Sequence, residues 1–278
     1  MELLDQHSLA WLLGLVAALA VTGIVAGLLA GLLGVGGGIV IVPVLYHLFT
    51  LLGVDEAVKM HVAVGTSLAT IVPTSLLSAR SHAAKGNLDQ DLLRSLIPAL
   101  FAGVVLGALI SGFVPGLVLS LVFGVIGLLV AANMALRTRP STLAPALPGG
   151  LARHGIGTTI GTFSTLMGIG GGTLSVPIFS AFNVPMHRAV GTAAAIGIVI
   201  SIPGAIGFLI NGLGVPDRPP LTLGYINLIG FALIVPMTLW MAPVGARIAH
   251  ALNARLLKQA FAVFLTITAL RMLYSVLA

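Results

Sequence analysis

Cysteine is absent from the 278 residues, which excludes a disulfide framework, thiol chemistry and cysteine-ligated metal sites. Charge is scarce as well. Asp, Glu, Lys and Arg make up 7% of the chain, against about 25% in soluble domains. Seven acids and 13 bases cannot coat a soluble core of this size. Intrinsic disorder is excluded by the 58% of residues that are hydrophobic. What is left is a polytopic membrane protein.

The few charges fall in narrow bands. None lies between Asp5 and Asp55, Lys59 and Arg80, Arg94 and Arg137, Arg153 and Arg188, Arg188 and Asp217, or Arg218 and Arg247. A membrane helix needs roughly 20 apolar residues, so these windows hold one or two passes each. The windows are near-continuously apolar rather than alternating, which favours helices over barrel strands. Met1, Glu2 and Asp5 lack the basic start of a signal peptide, so the first segment is expected to stay. The net charge of +6 is spread over short loops, as the positive-inside rule requires, and implies no nucleic-acid partner.

The sequence repeats itself. Gly34-Val-Gly-Gly-Gly-Ile-Val-Ile-Val-Pro43 matches Gly168-Ile-Gly-Gly-Gly-Thr-Leu-Ser-Val-Pro177. Met60-His-Val-Ala-Val-Gly-Thr66 matches Met186-His-Arg-Ala-Val-Gly-Thr192. Weaker echoes pair Gly107-Ala108 with Gly245-Ala246, Phe123 with Phe261 and Met134 with Met272. The expected organisation is an N-terminal repeat over 1–137, a connecting loop over 138–152 and a C-terminal repeat over 153–278. Segments are expected at 8–33, 39–52, 61–80, 92–113 and 117–136, then at 154–168, 173–183, 187–211, 221–243 and 252–276.

Charge counting orients the repeats. If each glycine block lies within one continuous helix, four passes per half put eight Lys and Arg inside and five outside. If each block is the tip of a helical hairpin, ten lie inside and only Lys59, Arg218 and Arg271 outside. The second count fits the positive-inside rule better. It makes five membrane segments per half, an odd number, and odd repeats insert inverted. The expected fold is therefore an all-α polytopic membrane protein of two inverted five-segment repeats, each with a broken helix or hairpin at its glycine block, and both termini outside.

Each tip has four glycines in five positions, Gly34, Gly36, Gly37 and Gly38 against Gly168, Gly170, Gly171 and Gly172. Close helix packing is one use of such glycines, but this density damages an uninterrupted helix. A break exposes backbone N–H donors at a new helix start, and these favour an anion. Ile39 and Thr173 would begin the new half-helices, with Pro43 and Pro177 about one turn further in, where a missing N–H is tolerated. Ser175 adds a second hydroxyl to the second tip, so that tip is the more polar. A dinucleotide fingerprint is disfavoured, because Ile39 stands where its third glycine should be.

The companion block supplies Thr66, Ser67 and Thr192. These hydroxyls either donate to an oxyanion or bond to their own helix carbonyls. His61 and His187 are either interfacial residues or pH-sensitive gates that couple protons. Every Asp and Glu falls in a tail or loop on this map. Cation-coupled carriers place carboxylates at mid-depth, so an anion passage suits the chain better. No cofactor and no metal site is called for.

These residues resemble the sulfite exporter TauE/SafE family of membrane permeases. The resemblance rests on the duplicated glycine block ending in Val-Pro, the Ala-Val-Gly-Thr that follows it, and Gly245-Ala246-Arg247 near the end. It covers residues from about 10 to 276. It implies a permease of a bacterial or archaeal inner membrane for small sulfur-containing anions, such as sulfite or organosulfonates, with the two glycine blocks as the transport core. Exporter activity is the expectation, while the family spans both directions. A passive anion channel, a permease for another small organic anion and an accessory subunit remain open. A homodimer is a further open assembly. An intramembrane enzyme is disfavoured, with neither a cysteine nucleophile nor a membrane carboxylate pair.

Overall fold

The computed structural model describes residues 9–33, 36–136, 144–248 and 254–277. Gly34, Arg137 and Arg139, used in the sequence argument, lie outside the described residues. The first half contributes α1 (Leu9–Leu33), α2 (Gly38–Leu51), α3 (Glu56–Ala84), α4 (Gln90–Phe113) and α5 (Gly116–Leu136). The second contributes α6 (Gly150–Met167), α7 (Gly172–Ala181), α8 (Met186–Asn211), α9 (Leu228–Ile248) and α10 (Ala254–Leu277). A small hairpin, β1 (Thr222–Leu223) against β2 (Ile226–Asn227), precedes α9.

Among the described residues, six helices carry an apolar stretch long enough to cross a membrane. α1 is one of them, through Leu13–Leu32, whereas α2 has 14 residues and α7 only 10. Both short helices start on the last glycine of a block, Gly38 or Gly172, so the block does break the helix. α3 and α4 start on side-chain caps. Asp55 accepts from the Ala57 N–H at 2.7 Å and Asp89 from the Leu92 N–H at 3.0 Å.

One expected segment is corrected. Residues 221–243 do not form one helix. Leu221 and Gly224 have φ of 54° and 57°, which a right-handed helix cannot accommodate, and the chain there folds into the β1–β2 hairpin. The Asn227 side chain then caps the helix, its Oδ1 accepting from the Gly230 N–H at 2.8 Å. α9 continues through Pro243 to Ile248. A second correction concerns the prolines. Pro43 and Pro177 each stand sixth in their helix, beyond the first turn. Each removes a real helical bond and leaves the carbonyl four residues back, Ile39 or Thr173, without its usual donor.

α3 and α8 form the centre of the bundle and run antiparallel. Gly65 lies beside Phe208, Leu68 beside Gly204 and Ser75 beside Gly197. α5 and α10 also run antiparallel, with Gly124 against Leu273 and Gly127 against Ala269. α1 packs on α9 and α4 on α6, each as a parallel pair with extensive contact. Glycines allow these approaches. A Cβ at Gly103 would run into the Thr158 carbonyl, and one at Gly161 into the Leu100 carbonyl. Gly161→Ala should therefore destabilise the fold by about 1–3 kcal/mol, the usual range for overpacking. The check is the unfolding midpoint in detergent. An unchanged midpoint would mean that the α4–α6 seam is loose enough to absorb a methyl group.

α3 carries a buried polar strip through this apolar centre. Thr66, Ser67 and Thr70 are fully buried, and Thr74 and Ser75 nearly so. Lys59, in its first turns, is buried too, at 2% exposure. Its Nζ donates to the Thr50 hydroxyl at 3.1 Å and to Glu56, and lies 4.5 Å from the centre of the Tyr46 ring. The sequence map placed this lysine in an exposed loop. The structure instead shields its stem with α2 and neutralises it locally.

Candidate functional site

The two glycine tips meet halfway along the central helices. A Cβ built on Gly36 would sit 3.4 Å from the Cα of Gly170 and 3.6 Å from the Ser75 hydroxyl. One built on Gly38 would collide with the Gly168 carbonyl, and would lie 2.7 Å from Ile71 Cδ1 and 2.9 Å from the Ser67 hydroxyl. At Gly171 it would meet Ile196 Cγ2 at 2.6 Å and the Ala193 carbonyl at 2.7 Å. A side chain at Gly38 or Gly171 would clash, so the tips approach one another backbone to backbone.

The tips are not copies in detail. Gly36 and Gly37 both take left-handed conformations, at φ 71° and 78°, and Gly37 is the residue from which α2 starts. In the second tip Gly168 ends α6 at φ 65°, while Gly171 has an ordinary φ of −55°. At each tip the first amides of a new helix, those of Gly38 and Ile39 and of Gly172 and Thr173, have no partner within their own helix. The Ile39 side chain is buried in the hydrophobic core, so only its backbone is available to a ligand.

The polarity is lopsided. Among the described residues, four buried hydroxyls lack any hydrogen-bond partner: Ser164, Thr173, Ser175 and Ser201. All stand on the second half. Ser164 is in the last turn of α6, Thr173 and Ser175 open α7, and Ser201 lies one turn beyond Gly197 on α8. The positions matching Thr173 and Ser175 in the first tip are Ile39 and Ile41, both fully buried and apolar. An unpartnered buried hydroxyl is costly, so Ser164, Thr173 and Ser175, each within four residues of the second glycine block along the chain, mark a place where an external acceptor is expected. Ser164 and Ser201 were missed in the sequence. Ser201 had a signal, because it follows Ser75 at the same 126-residue offset as Met186 follows Met60.

Thr173 also lines a largely apolar groove of about 280 Å³ between α5, α6 and α7. Ile126, Asn133, Phe163, Pro177 and Ile178 form much of the rest of its wall.

Thr66, Ser67 and Thr192 have intramolecular partners. Ser67 donates to the Gly168 carbonyl at 2.7 Å, tying α3 to the second tip. Thr66 Oγ1 accepts from the Asn227 N–H at 2.8 Å. Thr192 Oγ1 accepts from the Asp89 N–H at 3.0 Å. None of the three uses the carbonyl of its own helix, the local alternative weighed from sequence.

The two histidines differ. His61 is buried at 4% exposure, its Nε2 3.1 Å from the Ser111 carbonyl and its ring stacked 4.9 Å from that of Tyr225 in the hairpin turn. Burial pushes the Tyr225 phenol upward, with nearby Arg218 opposing the shift, so this turn stays uncharged near neutral pH. His187 is exposed in the first turn of α8. The structure does not bring the two histidines together, since they sit near opposite ends of the antiparallel α3–α8 pair.

Comparison with known proteins agrees with this architecture. The family model described as Sulfite exporter TauE/SafE matches residues 19–272. The chain belongs to the sulfite exporter TauE/SafE family. A "Probable membrane transporter protein" of Haemophilus influenzae is 34% identical over 250 residues, 90% of this chain and 95% of that protein. A protein of the same description from Methanocaldococcus jannaschii is 29% identical over 236 residues, 82% of this chain and 81% of its own length. One relative in Bacillus subtilis, "Probable membrane transporter protein YunE", is 27% identical over 216 residues, 70% of this chain and 78% of its own. No solved structure matches the chain. This TauE/SafE member is thus a multi-pass helical membrane transporter and not an enzyme.

Proposed function

We propose that this TauE/SafE-family protein is a secondary transporter that exports small sulfur-containing anions, sulfite or organosulfonates, across a bacterial or archaeal inner membrane. The observation that carries this reading is the meeting of the two glycine tips beside unpartnered hydroxyls. Two helix starts offer backbone N–H groups to one place. Thr173 adds a neutral donor beside the start of α7, and Ser175, about 200° further round the helix, adds one on its opposite face. Ser67 and the Gly168 carbonyl close the site on the α3 side. The apolar groove beside Thr173 suits the organic part of a sulfonate.

Rocking between two inverted repeats, 1–137 and 153–278 joined by 138–152, supplies alternating access. Support for inversion comes from the antiparallel pairing of α3 with α8 and of α5 with α10. Members of each pair hold matching places in the two halves, and an axis lying in the membrane plane relates matching helices in opposite directions.

Purified protein in liposomes, tested against a panel of sulfite, methanesulfonate, sulfoacetate, sulfate and chloride, checks the reading. The expected result is uphill accumulation of sulfite or a sulfonate under an imposed gradient, saturable with concentration. Flux of chloride alone, or flux that never runs uphill, would instead point to a channel.

A further inference from the structure

The repeated Gly-Thr pairs hold matched contacts that the substrate site does not use. A Cβ on Gly65 would collide with the Tyr225 carbonyl, and one on Gly191 with the Asn87 carbonyl. The next residue in each case accepts a backbone N–H two positions further along the same loop: Thr66 from Asn227, Thr192 from Asp89. Each pair therefore receives the connection leaving the other half's long central helix. The β1–β2 hairpin after α8 docks on α3, and the turn at 85–89 after α3 docks on α8. The glycine allows flush contact, and the hydroxyl fixes it.

We infer that Thr66 and Thr192 are the paired gate residues of the transporter, each latching one end of the path, and that transport alternates by releasing one latch while the other holds. The inference rests on the alternating-access reading above. Because α3 and α8 run antiparallel, the two sockets lie at opposite ends of the pair. Gly65 lies beside Phe208, and the 17 steps along α8 from Gly191 to Phe208 span about 26 Å at 1.5 Å per residue, close to the roughly 30 Å of a hydrocarbon core.

Each latch is also joined to the tips through its neighbour in sequence. Ser67 follows Thr66 and bonds the Gly168 carbonyl. Ala193 follows Thr192, and its carbonyl lies against Gly171. An anion that shifts a tip therefore shifts the same helical turn that holds the latch. A single neutral hydroxyl-to-amide bond is weak enough to break once per cycle. The latches differ in their surroundings. His61 stacks on Tyr225 at one, and Arg188 stands 3.9 Å from Asp89 at the other. The two ends therefore need not open with equal ease.

The lack of native cysteine gives a clean background for the test. Thr66→Cys and Thr192→Cys, made singly in the full chain, are labelled with a membrane-impermeant maleimide in right-side-out and in inverted vesicles. Both positions are fully buried in the latched structure, so label enters only when a latch opens. The expected result is a preference of about tenfold or more for one side at residue 66, and for the opposite side at residue 192. Labelling of both from one side, or of neither, overturns the inference.

The pairs Thr66→Cys with Asn227→Cys and Thr192→Cys with Asp89→Cys are then oxidised, freed of oxidant and assayed in proteoliposomes carrying methanesulfonate, because sulfite itself cleaves disulfides. Each crosslink should stop flux, and reductant should restore it. Flux that persists through complete crosslinking of either pair overturns the inference. If labelling comes from opposite sides but the wild-type protein moves neither sulfite nor methanesulfonate, the gates stand and the substrate reading falls.

Discussion

Gly38→Ala should cut sulfite or sulfonate flux by about 100-fold, the scale expected when reacting or binding groups are displaced by about 1 Å. The added methyl group collides with the Gly168 carbonyl and presses on Ile71 and on the Ser67 hydroxyl. Either the two tips separate or the Ser67–Gly168 bond breaks, and both changes open the place where the helix starts converge. The fold should lose about 1–3 kcal/mol, as for other overpacked sites. Gly14→Ala is the control, since nothing lies within 4 Å of a Cβ there. The measurement is initial flux per inserted protein. Wild-type flux from Gly38→Ala would remove the tips from the transport path.

Thr173→Val should move two readouts in opposite directions. Valine keeps the shape and removes a hydroxyl that has no partner within the protein. Stability should hold or rise slightly, because a buried unsatisfied group is gone. Substrate KM should rise by about 5–10-fold, the loss of one hydrogen bond of about 1 kcal/mol. Ser175→Ala should likewise hold or raise stability, because its hydroxyl also has no partner within the protein. A structural role for Thr173 predicts the reverse pattern, with reduced stability and unaltered KM.

Much of the fold was legible because apolar runs and their charged punctuation are strong signals. The starts of α2 and α7 were visible in the glycine blocks, and the greater polarity of the second tip in Thr173 and Ser175. The β1–β2 hairpin was not visible, since residues 221–227 are nearly as apolar as the helix they precede. What interrupts the helix there is backbone conformation at Leu221 and Gly224. The partners of Thr66 and Thr192 were also hidden. They are backbone amides supplied by loops more than 100 residues away, and no side-chain pattern announces them. Lys59 looked like a surface charge beside Asp55 and Glu56. Its burial depends on α2 packing over it, which only the tertiary structure reveals. Ser164 lacked any signal, being one of several hydroxyls in a Thr- and Ser-rich helix, whereas Ser201 stood in register with Ser75.

The claim at the centre of the account is that the anion sits where the tips meet, against the start of α7. The direct measurement is a structure determined with a bound sulfonate, locating the sulfur by its anomalous signal. The account predicts one peak within hydrogen-bonding reach of Thr173 Oγ1 and of the first amides of α7, adjacent to Gly38. A sulfonate peak elsewhere, apart from those of the eight methionine sulfurs, in protein shown to transport that same sulfonate, would contradict it.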